Sequence, residues 1–170
     1  MSGVIAEEGS TSHCLYDKWT LWAHLPHDTD WTLGSYKKIL DFNTVEQAIT
    51  LTETLPEKLI KNCMLFIMRN GIQPTWEDEK NALGGCFSYK INNKFVKEAW
   101  TALTYRLTGE TITNDNSLSN IVNGITISPK KNFCIIKIWT NTCKYQNATV
   151  IKPFKDLIIH QGCLFKKHKP

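Results

Sequence analysis

Ile125-Thr126-Ile127-Ser128, then Pro129-Lys130-Lys131-Asn132, then Phe133-Cys134-Ile135-Ile136-Lys137-Ile138-Trp139: two runs rich in β-branched residues flank a short polar turn. Such side chains suit the pleated surface of a strand, so the stretch reads as a hairpin with a basic tip. A hairpin pairs its strands antiparallel. The strands and helices that alternate along the rest of the chain therefore need not form a doubly wound parallel sheet. The fold this predicts is α+β: one curved, mainly antiparallel sheet with two or three helices packed on one face. The other face and its loops are left for a ligand.

Outward from the hairpin, Cys63 to Met68 is a short apolar run bounded by Asn62 and Asn70-Gly71, a buried strand ending in a turn. Gly84-Gly85 opens a further strand, Cys86 to Ile91, and Tyr16 to Ala23 is a third. Cys163-Leu164-Phe165 reads as a closing edge strand, and Lys166 to Pro170 as a basic tail. Val96, Trp100, Leu103 and Leu107 recur at helical spacing before Gly109, which predicts an amphipathic helix. Asn43 with Glu46 resembles a capped helix start, followed by Val45, Ala48, Ile49, Thr52 and Leu55 on one face. A shorter helix is expected over Ser117 to Asn123, and a helical turn or two over Phe154 to Ile158. Residues 1–12 are small and polar and read as a disordered tail, which leaves 13–170 as one domain.

At 170 residues the chain buries enough surface to stand without disulfides or metal. It has no apolar run near the ~18 residues of a membrane span, and Met1 to Ser12 lacks the basic start and apolar stretch of a leader. A cytoplasmic protein that neither enters a membrane nor is secreted is expected. The six cysteines form no C-x-x-C pair and the five histidines no H-x-x-x-H, so structural thiols are expected, with no metal and no cofactor. A net charge of +4 is mild for a protein that grips long nucleic acid; a small anionic ligand suits it better. The 18 lysines against two arginines point to an AT-rich coding bias.

The chemistry concentrates in Asn70-Gly71-Ile72-Gln73-Pro74-Thr75-Trp76-Glu77-Asp78-Glu79-Lys80-Asn81. A tryptophan set among charged residues in a loop makes physical sense if a flat ring stacks on it. Trp31 sits in an equally polar loop at a strand end, and two such indoles can clamp a base between them. Glu77 offers two acceptors to paired N–H donors such as N1 and N2 of guanine. Methylation of guanine at N7 makes the ring cationic, which strengthens both contacts. That is the chemistry of an mRNA cap.

Trp19-Thr20-Leu21-Trp22, Asp30-Trp31, Asp41-Phe42-Asn43-Thr44-Val45-Glu46, Gly71 through Asn81, Gly84-Gly85 and Ile138-Trp139-Thr140 resemble, in order and spacing, the eukaryotic translation initiation factor 4E family of cap-binding proteins. The likeness spans about residues 13 to 150, and the chain looks like a divergent, lysine-rich member from a virus or an AT-rich genome. It implies a curved antiparallel sheet with three helices on the convex face and the cap pocket on the concave side. By resemblance, Trp31 and Trp76 stack on 7-methylguanine, Glu77 holds its Watson–Crick edge, Trp139 lies against the N7 methyl, and Lys130 meets the phosphates. The implied partners are capped mRNA and a scaffold of the 4G type, the latter bound through His13, Val45, Ile49 and Trp100 by a monomer.

The sequence departs from the family pattern in places. Cys86 follows the double glycine where a basic residue is common, and Ile135 stands four before Trp139 where many members have Lys. A weaker phosphate grip is therefore expected, with Lys131 or Lys137 as substitutes, and Lys166, Lys167 and Lys169 as contacts for the RNA backbone. Ile49 replaces a tryptophan, Cys14 a proline, and Thr101-Ala102 a Leu-Glu pair on the partner surface. These changes motivate an alternative in which the protein occupies caps as a repressor or selective factor. A metal-dependent hydrolase built on Glu77, Asp78 and Glu79 is the least favoured reading, since no nucleophile–base pair accompanies them.

Overall fold

The computed structural model describes residues 11–169; positions 1–10 of the expected tail lie outside the described residues. Seven strands form one antiparallel sheet: β1 (Cys14–His24), β2 (Tyr36–Thr44), β3 (Met64–Arg69), β4 (Gly85–Asn92), β5 (Val122–Pro129), β6 (Phe133–Thr140) and β7 (Leu164–Lys167). Their order across the sheet is β2-β1-β3-β5-β6-β4-β7. Three α-helices, α1 (Val45–Thr54), α2 (Glu57–Asn62) and α3 (Val96–Thr108), share one face. The predicted hairpin is β5–β6, paired from Pro129–Cys134 back to Gly124–Trp139.

Alternation along the strands sorts side chains to two faces. Trp19, Leu21, Leu65, Ile67, Phe87, Ile125, Ile127, Ile136 and Ile138 turn to the helices, where Val96, Trp100, Leu103 and Leu107 of α3 are buried as their spacing predicts. Trp22, Phe66, Met68, Cys86 and Trp139 form a smaller apolar layer on the opposite, open face. Burying a large apolar side chain is worth roughly 1.5–3 kcal/mol, so the helix-backed layer dominates stability.

Several expectations shift. The N-cap of α1 is Thr44, one residue later than read: its hydroxyl accepts from the Gln47 amide, and Gln47 Oε1 accepts from the Thr44 amide, both at 3.2 Å. Glu46 is thereby free to bond the His13 ring and amide. The short helix near 117–123 is a 3-10 helix over Asn116–Ile121, and β5 begins directly after it. Phe154 and Ile158 form an isolated bridge instead of a helical turn. The closing strand is Leu164–Lys167, paired to β4, which draws Lys166 and Lys167 out of the expected tail. Strand β2 and helix α2 were not anticipated: β2 is an edge strand with only Phe42 buried, and α2 is one short turn that buries only Ile60.

Candidate functional site

The loop from Gln73 to Asn81 is braced by two of its own side chains. Asp78 accepts from the amides of Gln73 and Lys80, each at 2.8 Å, so both carboxylate oxygens are committed to backbone. Asn81 is fully buried and donates to the carbonyls of Gln73 (3.1 Å) and Thr75 (2.9 Å). Asn123 on β5 donates to Asn81 Oδ1 and to the Lys80 carbonyl, both at 2.9 Å. Trp76 and Glu77, held by this frame, stay exposed; Trp76 keeps 44% of its surface accessible. Among the described residues no group of three or more His, Cys, Asp and Glu could hold a metal ion.

After Asn81 the chain enters β4 through Gly84-Gly85. A Cβ on Gly84 would meet the Thr140 carbonyl oxygen at 1.7 Å, and one on Gly85 the Lys166 carbonyl oxygen at 2.4 Å, so only glycine lets β4 lie this close to its neighbours.

Trp76 opens onto a cavity of about 300 Å³ whose wall includes Trp139, Cys86, Lys137, Lys166, Lys167 and His168. Trp139 is buried, and its ring centroid lies 4.8 Å from that of His168. His168 donates from Nδ1 to the Asn81 carbonyl (2.7 Å), which leaves Nε2 to accept from the Cys86 thiol (3.0 Å). Burial pushes the Cys86 thiol up to about 12, so it is a neutral donor here, and burial lowers the His168 imidazole below its usual value.

Trp31 is 57% exposed, as expected, but lies elsewhere on the open face. It shares a separate hollow with His24, His27, Asp28, Lys61 and Lys130, so the structure does not bring Trp31 and Trp76, or Lys130 and Trp139, into one cavity. The His24 ring lies flat on Trp31, centroids 3.8 Å apart and planes within 1°. His24 Nε2 donates to the Asp30 carbonyl at 2.7 Å, which fixes the tautomer and tethers the loop. From His24 a row of rings crosses the sheet: Tyr36 at 5.2 Å, then Phe66 at 5.4 Å, then Trp139 at 6.5 Å. Burial, and next the charge of Glu77, raise the Tyr36 hydroxyl. The sequence does not mark the roles of Asn81 and His168, because their partners lie far along the chain, and it does not mark His24 and Tyr36, because their contacts are set by how the sheet places their rings.

On the helix side, Val45 and Ile49, each 39% exposed, line an apolar groove with Leu15, Ala48, Tyr105 and Gly109. Leu15 and Tyr105 are additions to the expected set. His13 is exposed beside this groove, bound to Glu46. Trp100 must be corrected: only 1% exposed, it is a core residue packed under the helices and offers no side-chain surface to a partner.

The sequence profile of the family described as Eukaryotic initiation factor 4E matches residues 14–169. The eukaryotic translation initiation factor 4E of Saccharomyces cerevisiae is 31% identical over 137 residues, which cover 76% of this chain; the chain spans 62% of the length of the yeast protein. Among solved structures, the Ascaris suum initiation factor 4E-3 complexed with an m7G cap superposes with TM-score 0.69 at 21% identity, covering 78% of this chain and 76% of that one. The schistosome initiation factor 4E complexed with m7GpppG and 4E-BP superposes with TM-score 0.70 at 22% identity, covering 79% and 75%. These likenesses establish the fold, and the profile match over nearly the whole chain establishes the family: this chain belongs to the eukaryotic initiation factor 4E family.

Proposed function

We propose that the protein binds the 7-methylguanosine cap of mRNA and so supports translation initiation in the cytoplasm, by recognition alone and without turnover. The observation that carries this reading is the cavity shared by Trp76 and Trp139, which is walled by three lysines and has no carboxylate in its lining. A cationic, flat base stacks on Trp76, with its methyl group against Trp139. Glu77, next to Trp76 in the chain, takes the Watson–Crick edge. Trp31 closes over the second face of the base, with His24 backing its indole.

Base–aromatic stacking is worth roughly 1–3 kcal/mol per partner, whereas micromolar affinity needs about −8.2 kcal/mol. Stacking alone falls short once association entropy is counted, so Glu77 and charge on the phosphates must contribute. The apolar groove around Val45 and Ile49 is the surface for a scaffold of the 4G type, docked as a helix with apolar anchors.

Tryptophan fluorescence during titration with 7-methyl-GTP and with GTP tests the reading. Quenching by the methylated nucleotide at concentrations where GTP is silent is expected; equal responses to both would overturn base recognition.

A further inference from the structure

Resting on the cap-binding reading, we propose that the polyphosphate of the ligand is gripped by Lys137 on β6 and by Lys166 on β7, and not by Lys130 at the β5–β6 tip.

The sheet register makes the first part of the argument. Cys86 pairs with Trp139 on one side and with Lys166 on the other, so Trp139, Cys86 and Lys166 lie in one row across β6, β4 and β7. In an antiparallel sheet, residues in such a row share a face. Lys137 is two residues from Trp139 on the same strand, hence on that same face and roughly 6.8 Å along it. Ile135, the position where the family pattern favours lysine, is one further step of two along the same face. The positive charge missing at Ile135 is therefore present at Lys137, nearer the indole.

The charge of the two hollows decides between them. The cavity at Trp76 carries Lys137, Lys166 and Lys167 with no acidic side chain in its wall, while the hollow that holds Lys130 also holds Asp28. Cys86, the floor of the first, is a buried thiol bonded to His168, so no thiolate opposes an anion. His168 also ties the end of β7 to the Asn81 carbonyl, which fixes the strand that presents Lys166 against the same loop that presents Trp76. The base platform and the phosphate platform are thus bolted to one residue, Asn81. Lysine is a point charge without a bidentate fork, so a multiply charged tail needs several of them.

The test uses the full chain and three probes, 7-methyl-GTP, the nucleoside 7-methylguanosine and inorganic tripolyphosphate, with the variants Lys137→Gln, Lys166→Gln and Lys130→Gln. The first two variants are expected to weaken 7-methyl-GTP by about tenfold each, to flatten its salt dependence, to leave 7-methylguanosine unchanged and to abolish competition by tripolyphosphate. Lys130→Gln is expected to change each affinity by less than about twofold. A loss at Lys130→Gln matching that at Lys137→Gln would overturn the assignment, as would equal weakening of the nucleoside. Should 7-methyl-GTP and GTP bind alike while tripolyphosphate still depends on Lys137 and Lys166, the base reading fails and the phosphate site stands. If the wild-type chain does not bind tripolyphosphate, the phosphate site falls whatever the base does.

Discussion

Two tryptophan loops open onto the same face of the sheet, and they are built in opposite ways. The Trp76 loop is braced across the whole chain: Asn81 is bonded by Asn123 on β5 and, through its carbonyl, by His168 beyond β7. The bonds that shape the Trp31 loop are local. Asp28 Oδ1 accepts from the Asp30 amide, Asp30 Oδ1 from the amide and hydroxyl of Thr32, and His24 reaches only to the Asp30 carbonyl. A segment held by short-range bonds opens at low cost, whereas one tied to the core opens only with it. Of the two halves of the proposed clamp, the Trp76 side is therefore preorganised and the Trp31 side adapts.

Removing the brace is the strongest way to break that contrast. Asn81→Ala takes away one of the two acceptors of the Asn123 amide and the side-chain donor to the Gln73 and Thr75 carbonyls at a buried position, a change expected to cost about 3 kcal/mol. For a domain of this size that lowers Tm by roughly 10 °C. Asp30→Ala, at an exposed turn, should cost no more than about 1 kcal/mol. Thermal denaturation of the two variants side by side checks this, and an Asn81→Ala protein that melts with the wild type would show that the loop stands without its brace.

The next effect is on affinity. Trp76→Ala, which removes a platform already in place, is expected to weaken 7-methyl-GTP about a hundredfold, or roughly 2.7 kcal/mol. Trp31→Ala should cost nearer tenfold, because closing its loop on the base spends part of the stacking energy on ordering. Equal losses in fluorescence or calorimetric titrations would mean that both loops are equally preformed.

The contrast also explains what could be read in the sequence. The hairpin and α3 are legible because local pattern carries them: β-branched runs flank a polar turn in β5–β6, and the α3 stripe falls at helical spacing. Trp76 and Glu77 stood out because large aromatic and acidic residues in a polar loop are chemically conspicuous. Asn81 and His168 did not, since their roles rest on partners up to 87 residues away. Trp100 misled for a related reason: its place in a family motif says nothing about which side of α3 it occupies, and the core has taken it. Strand β2 hides its register because eight of its nine residues are not buried.

His24 sharpens the comparison at smaller amplitude. His24→Phe keeps a flat ring against Trp31 but loses the bond to the Asp30 carbonyl, whereas His24→Ala loses both. If the ring is the support that matters, hydrogen exchange over 30–35 should quicken in His24→Ala, with about threefold weaker 7-methyl-GTP binding. His24→Phe should stay nearer the wild type. The reverse order would make the carbonyl tether the principal restraint on the loop.

The smallest expected effect is in pH, and it belongs to the braced side alone. Burial, with a lesser contribution from the Lys137 charge, lowers the His168 imidazole below its usual value, despite the favourable bond to the Asn81 carbonyl. The unfolded chain then binds the proton more readily than the folded one, so stability rises with pH through that window. The contribution of His168 is complete above about pH 6.5 and is lost as pH falls through the lower, folded value. Protonation also puts a hydrogen on Nε2, which can no longer accept from the Cys86 thiol. Acidification from pH 7.5 to 5 should therefore quicken amide exchange at the end of β7 and in the Trp76 loop. Exchange in the Trp31 loop should not follow, because none of its shaping bonds passes through His168. If both loops loosen together, the two halves of the face are one cooperative unit and the division between them is wrong.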